Sequence, residues 1–144
     1  MKFWDSSAII PLVLRQPFSE QLKELGASNT ADMLVWWVTK VECYSAVNRL
    51  RRMNAITAQE ETEACQLLAD IVMSWQEFEP VEEVREEAIE AIKKYQLKAA
   101  DALQLAAALI WAHNKPSGKQ FVCLDDRLRD AAQSEGFNLF PEKM

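Results

Sequence analysis

The chain has 144 residues, 49 % of them hydrophobic, with 3 Gly and 5 Pro, which is the composition of a single globular domain over 1–144 without low-complexity tracts, internal repeats or a linker. A chain of this length buries about 70 % of its unfolded surface and needs no disulfide or structural metal to fold. The formal net charge of -6 and a pI near 4.9 exclude a non-specific nucleic-acid coat, which needs a broad positive field, but not a nuclease whose metal ions carry the charge at the phosphate.

Cys43, Cys65 and Cys123 are far apart, odd in number and without histidines at zinc-ligand spacing. Reduced, mostly buried thiols in a cytoplasmic protein are expected. The apolar run 8–14 has Asp5 before it and no clear cleavage site after it, and the other apolar runs are too short to span a bilayer.

In chain order, Lys2-Phe3-Trp4 predicts a short buried strand that stops at Asp5, with Ser6 and Ser7 as capping hydroxyls for a helix to Leu14. Pro11 suits that helix if it lies in the first turn, where its missing N–H costs nothing. A second helix is expected over 18–25, ending near Gly26. The continuous apolar run 33–38 reads as a strand covered on both faces. A helix follows over 39–53, with Val41, Tyr44, Val47 and Leu50 on its apolar face.

Thr57 and Glu60 form a capping-box pattern opening a helix to Ser74. A short edge strand is expected within 75–80, an amphipathic helix over 81–95, and an alanine-rich helix over 98–112 that is apolar nearly all round from Leu103 onward. Lys115-Pro116-Ser117-Gly118 is a turn. Residues 120–124 form a strand running into Asp125 and Asp126, and a helix from 126 stops at Gly136. An edge strand within 137–141 ends at Pro141. Strands alternating with helices imply a parallel sheet with helices on both faces.

Four acids stand out in this frame. Asp5, Glu42 and Asp125 each fall within about four residues of a strand's carboxyl end, where open parallel sheets form their sites. Asp101 is a lone charge opening an apolar helix. Each has a local explanation as a cap: Asp101-x-x-Gln104 and Thr39-x-x-Glu42 are both capping-box patterns. Jointly, four carboxylates at one rim favour a site for Mg²⁺ or Mn²⁺, hard ions that take oxygen ligands and suit phosphate chemistry. His113, at the end of its helix, is better placed to meet terminal carbonyls than to act as a base. Arg49, Arg51 and Arg52, and Arg127 with Arg129, read as solvated helix faces.

The segments Phe3-Trp4-Asp5-Ser6-Ser7-Ala8, Thr39-Lys40-Val41-Glu42, Ala99-Ala100-Asp101-Ala102-Leu103-Gln104-Leu105-Ala106 and Phe121-Val122-Cys123-Leu124-Asp125-Asp126-Arg127-Leu128 resemble, in order and spacing, the four acidic motifs of the PIN-domain ribonucleases. The similarity is strongest to the VapC-type toxins of toxin–antitoxin pairs. The resemblance implies a three-layer α/β/α sandwich on a five-stranded parallel sheet and Mg²⁺- or Mn²⁺-dependent hydrolysis of single-stranded RNA. It also implies a homodimer inhibited by a cognate antitoxin. It carries the metal-binding acids onto Asp5, Glu42, Asp101 and Asp125, and the supporting hydroxyl onto Ser7. Asp126 is the rival to Asp125 and falls on a variable polar position. Cys123 departs from the pattern, which has Thr or Ser two residues before the last acid, and so removes a hydroxyl that could orient Asp125.

A receiver domain or a phosphatase with a nucleophilic aspartate would also place Asp at a strand's end. Asp5 is followed by Ser6 and Ser7, not by the second acid those chemistries use. The other alternative is a catalytically silent PIN scaffold that binds RNA or protein. For an antitoxin, the sequence offers the acidic rim to an Arg side chain. It also offers a stripe of Phe18, Leu22 and Leu25, whose spacing equally suits the core.

Overall fold

Phe3 and Trp4 are consecutive residues of the first strand and belong to different cores. The computed structural model describes residues 1–27 and 30–144, and strand alternation divides its interior in two. Phe3, Leu34, Trp36 and Phe121 pack in one cluster, while Trp4, Met33, Val35 and Val122 pack in the other. Successive side chains of a strand point to opposite faces, so strands that are apolar throughout must be covered on both.

The strands are β1 (Lys2–Trp4), β2 (Met33–Trp36), β3 (Gln76–Phe78), β4 (Gln120–Val122) and β5 (Asn138–Phe140), all parallel, in the order β3-β2-β1-β4-β5. Among the described residues seven α-helices flank them. Helices α1 (Ser6–Val13), α2 (Ser19–Ala27), α3 (Thr39–Arg52) and α4 (Ala58–Ser74) cover one face. Helices α5 (Glu82–Tyr95), α6 (Ala99–Trp111) and α7 (Asp126–Glu135) cover the other. This is the expected α/β/α sandwich.

The strand order positions the site. From β1 the chain moves outward through β2 to β3, then returns to add β4 and β5 on the other side of β1. The helix after β1 therefore leaves toward one face and the helix after β4 toward the other. Such a switch point opens a crevice beyond the carboxyl ends of the two strands. Asp5 and Asp125 are the N-cap residues of those two helices.

Several local expectations are corrected. Helix α2 ends at Ala27, next to the expected end at Gly26, but Gly26 also serves a close approach: a Cβ there would lie 3.3 Å from the Trp4 ring and 3.7 Å from Met33. Pro11 sits beyond the first turn of α1, so it removes an interior helix bond, a cost confined to a helix that ends two residues later. Leu22 is fully buried, and Phe18 and Leu25 pack against the same core, which makes their stripe core.

The Thr57 capping box forms, with Thr57 N–H to Glu60 at 2.9 Å and Glu60 N–H to Thr57 at 3.1 Å. The other two do not. Val38 is the N-cap of α3 and Lys98 of α6, neither with a side-chain cap bond. Gly136, in the left-handed region at φ 110, ends α7 as expected. The three cysteines are unpaired, with Cys43 and Cys123 buried. No helix of the described residues is long and apolar enough to cross a membrane.

Candidate functional site

Asp5 is 4 % exposed at the end of β1, where its N–H continues the sheet by donating to Val122 O at 2.9 Å. Its Oδ2 accepts the Ser7 N–H at 3.1 Å, the Ser7 hydroxyl at 2.5 Å and the Cys123 thiol at 3.6 Å. The Ser7 hydroxyl in turn accepts the Leu124 N–H at 2.9 Å, so it ties the start of α1 to the segment leaving β4. Among the described residues, no hydrogen bond reaches Oδ1. Burial raises the Asp5 pKa, the Ser7 bonds oppose that rise, and Asp125 adds to it by repulsion.

Asp125 is exposed and caps α7, its Oδ1 accepting the Leu128 N–H at 3.0 Å. The turn carrying it is held by Arg129, whose guanidinium donates to Cys123 O at 2.8 Å and Pro141 O at 2.6 Å. Arg129 is thus a bracket between the ends of β4 and β5, not part of a solvated face. Cys123 sits against Asp5, with its thiol also 3.6 Å from the Asp125 carbonyl. Burial raises the thiol's pKa, as does the nearby Asp5, so it stays a neutral donor. The hydroxyl expected to orient Asp125 is replaced by a thiol that bonds Asp5, and the Leu128 N–H orients Asp125.

Asp101 lies in the first turn of α6, half-buried. Burial, then repulsion from Asp125 and Asp5, raises its pKa to about 6, with Lys98 opposing. A cleft of about 390 Å³ is lined by Lys98, Asp101, Asp125, Asp126 and Arg127. Of the two adjacent aspartates, it is Asp125 that acts electrostatically on Asp5 and Asp101.

Glu42 is in the first turn of α3, and burial, then Asp5 and Asp101, raise its pKa to about 7. Its Oε1 accepts the Gln104 side-chain amide at 2.5 Å, and the same amide nitrogen donates to Thr39 Oγ1 at 2.7 Å. Glu42 lines a separate cleft of about 310 Å³ with Ser6, Val41, Ser45, Ala46 and Arg49.

The fold therefore brings all four acids to one rim, with Asp5 coupled to each of the other three. No ion pair among the described residues neutralises them. They do not form a closed shell: among the described residues no three His, Cys, Asp or Glu side chains stand as a ready-made group for an ion. His113 lies past the far end of α6 from Asp101 and is exposed. Sequence reasoning missed two residues, Gln104 and Arg129. A glutamine in a helix otherwise apolar all round was the available signal for the first.

A family model described as "PIN domain" matches residues 2–133. Among solved structures, PAE2754 from Pyrobaculum aerophilum superposes with a TM-score of 0.66 at 18 % identity, over 97 % of this chain and 89 % of that one. FitAcB from Neisseria gonorrhoeae gives 0.62 at 18 % identity, over 96 % and 97 %. A toxin–antitoxin complex from Klebsiella pneumoniae gives 0.57 at 15 % identity, over 87 % of each chain. At these identities the likeness is one of fold. A search of curated proteins found no match. The family match runs from the first strand into the last helix and takes in all four rim acids, and the chain belongs to the PIN-domain family.

Proposed function

We propose that the chain is a metal-dependent endoribonuclease that hydrolyses phosphodiester bonds in single-stranded RNA, acting as the VapC-type toxin of a toxin–antitoxin pair. The observation that carries this reading is the crowding of Asp5, Glu42, Asp101 and Asp125 at the switch point, with repulsion among them that Lys98 opposes at Asp101 alone and that no ion pair among the described residues neutralises. An all-carboxylate donor set fits Mg²⁺ or Mn²⁺ and does not suit softer ions. The four acids would hold the ion, with Ser7 fixing Asp5. A bound divalent ion supplies a more acidic water and charge neutralisation at the phosphate.

The chain's own residues do the rest. Lys98 and Arg127 flank Asp101 and Asp125 in the cleft and offset the charge of an entering phosphate. Arg127 also lines the neighbouring cleft of Tyr95, Gln96, Asp130, Ala131 and Ser134, which continues the path for a strand. The Klebsiella complex supports an antitoxin partner. Trp37 and Val41, 50 % and 66 % exposed beside the Glu42 end of the rim, offer apolar surface to one. A homodimer belongs to the same reading.

Cys123, in place of a hydroxyl residue, and the open arrangement of the acids favour one second reading, a silent scaffold that binds RNA or protein. One experiment separates them. The purified chain is incubated with total RNA in Mn²⁺ and in chelator, alongside Asp101→Asn. Cleavage that needs Mn²⁺ and falls at least about a hundredfold in the variant is expected, since a carboxamide keeps the shape but not the ligand charge. Cleavage at the wild-type rate by Asp101→Asn removes Asp101 from the site. No cleavage by the wild type selects the scaffold.

A further inference from the structure

Gln104 is the one polar side chain among the fully buried residues of α6, a helix whose other buried members are alanines and leucines. Its amide nitrogen reaches α3 twice, at Thr39 Oγ1 and Glu42 Oε1, across 65 and 62 residues of sequence. Its Oε1 is buried with no partner. The orientation of the amide is dictated by its neighbours, because turned over it would set its oxygen against the Glu42 carboxylate.

A buried amide that satisfies only one of its ends costs free energy, and an apolar side chain of similar shape would not carry that cost. Stability alone therefore does not account for a glutamine here. The contact it makes does: both of its donor hydrogens go to α3, one onto a neutral hydroxyl that is itself fully buried and the other onto a rim acid. The bond occupies one oxygen of Glu42, and among the described residues no hydrogen bond reaches the other. It also links α3 to the helix that carries Asp101, three residues from Gln104 on the same face.

We propose that Gln104, anchored by Thr39, is a positioning residue: it holds one oxygen of Glu42 so that the other is presented to the divalent ion at the rim. The proposal rests on the metal-site reading above. Partners behind metal ligands generally set ligand orientation, and losing one weakens metal binding by about 10- to 100-fold.

The test is Mn²⁺ binding to the full chain, by calorimetry or by the electron spin resonance of free Mn²⁺, with thermal melts in chelator. The variants are Gln104→Met, Thr39→Val and the double variant, which makes both buried partners apolar together. Gln104→Met and the double variant should bind Mn²⁺ about tenfold more weakly. Thr39→Val should weaken it less. The double variant should be no weaker than Gln104→Met, because the two residues act through one contact. It should also melt in chelator no lower than wild type, a result that a merely structural glutamine does not produce. Mn²⁺ affinity within twofold of wild type in both Gln104 variants overturns the proposal. If those two do not fold, Thr39→Val decides alone, and unchanged affinity overturns it. A wild type that binds no Mn²⁺ fails the metal reading itself, and that arm distinguishes the two failures.

Discussion

Ser7 and Leu124 are 117 residues apart in sequence, and the Ser7 hydroxyl accepts the Leu124 backbone N–H at 2.9 Å. Its own proton goes to Asp5 at 2.5 Å. One side chain thus closes the seam between β1 and β4 and orients the most buried acid of the rim. Ser7→Ala removes both bonds, taking the hydroxyl donor from the Asp5 carboxylate and the acceptor from the Leu124 N–H. A loss of about 2 kcal/mol is expected at neutral pH, the size of a hydrogen bond to a charged group, together with slower RNA cleavage. Urea titration measures the first, and an unchanged midpoint counts against the seam.

The pH dependence of the metal-free protein follows from the raised carboxyls. Glu42 moves from 4.5 to about 7 and Asp101 from 3.8 to about 6 on folding. The native state then binds protons more tightly than the unfolded chain, so stability is fullest below the unfolded values and is lost as pH rises through this window. Compared with wild type, the double variant Glu42→Gln, Asp101→Asn should show a shallower fall in melting temperature between pH 4.5 and 7 in chelator. Parallel curves for the two proteins would mean that the repulsion is already relieved.

Metal should reverse that penalty. Mn²⁺ at a hundredfold excess over its dissociation constant should stabilise wild type by about 2.7 kcal/mol. Asp5→Asn and Asp125→Asn should gain much less, and in chelator they should melt no lower than wild type because one repulsive charge is gone. An equal metal-induced rise in all three proteins takes Asp5 and Asp125 out of the metal site.

Arg127 is exposed, lines the cleft of Asp101 and Asp125 as well as that of Tyr95 and Gln96, and makes no ion pair among the described residues. Arg127→Ala should weaken binding of single-stranded RNA across sequences alike. It should also reduce the slope of log affinity against log salt by about 0.7, the value for one phosphate contact on a single strand. Fluorescence anisotropy over a salt series in chelator reads both quantities, and a slope that does not move places the strand elsewhere.

What the sequence determined by itself is the frame and the place of its acids. The apolar run from Met33 demands cover on both faces, which the strand Met33–Trp36 receives at every position while Trp37 beyond it is exposed, and strand alternation assigns Phe3 and Trp4 to different cores. The acids at the ends of β1 and β4 follow from the order of the chain alone. The tertiary structure decided which local pattern was real. Asp101-x-x-Gln104, Thr39-x-x-Glu42 and Thr57-x-x-Glu60 are equivalent as strings, yet the last alone forms a capping box. In the other two, α3 and α6 cover opposite faces of the sheet and meet through one side chain at the rim, where the Gln104 amide donates to Thr39 and Glu42 and none of the three caps its own helix. The contacts of Gly26 and Arg129 are hidden from the sequence for the same reason. A helix stop and a close approach to Trp4 both ask for glycine, and a solvated arginine and a bracket between two strand ends look identical until the distant carbonyls are in place. Local signals are read within about four residues, and these partners lie far beyond that range or, for Arg129, on turns that only the packed sheet brings together.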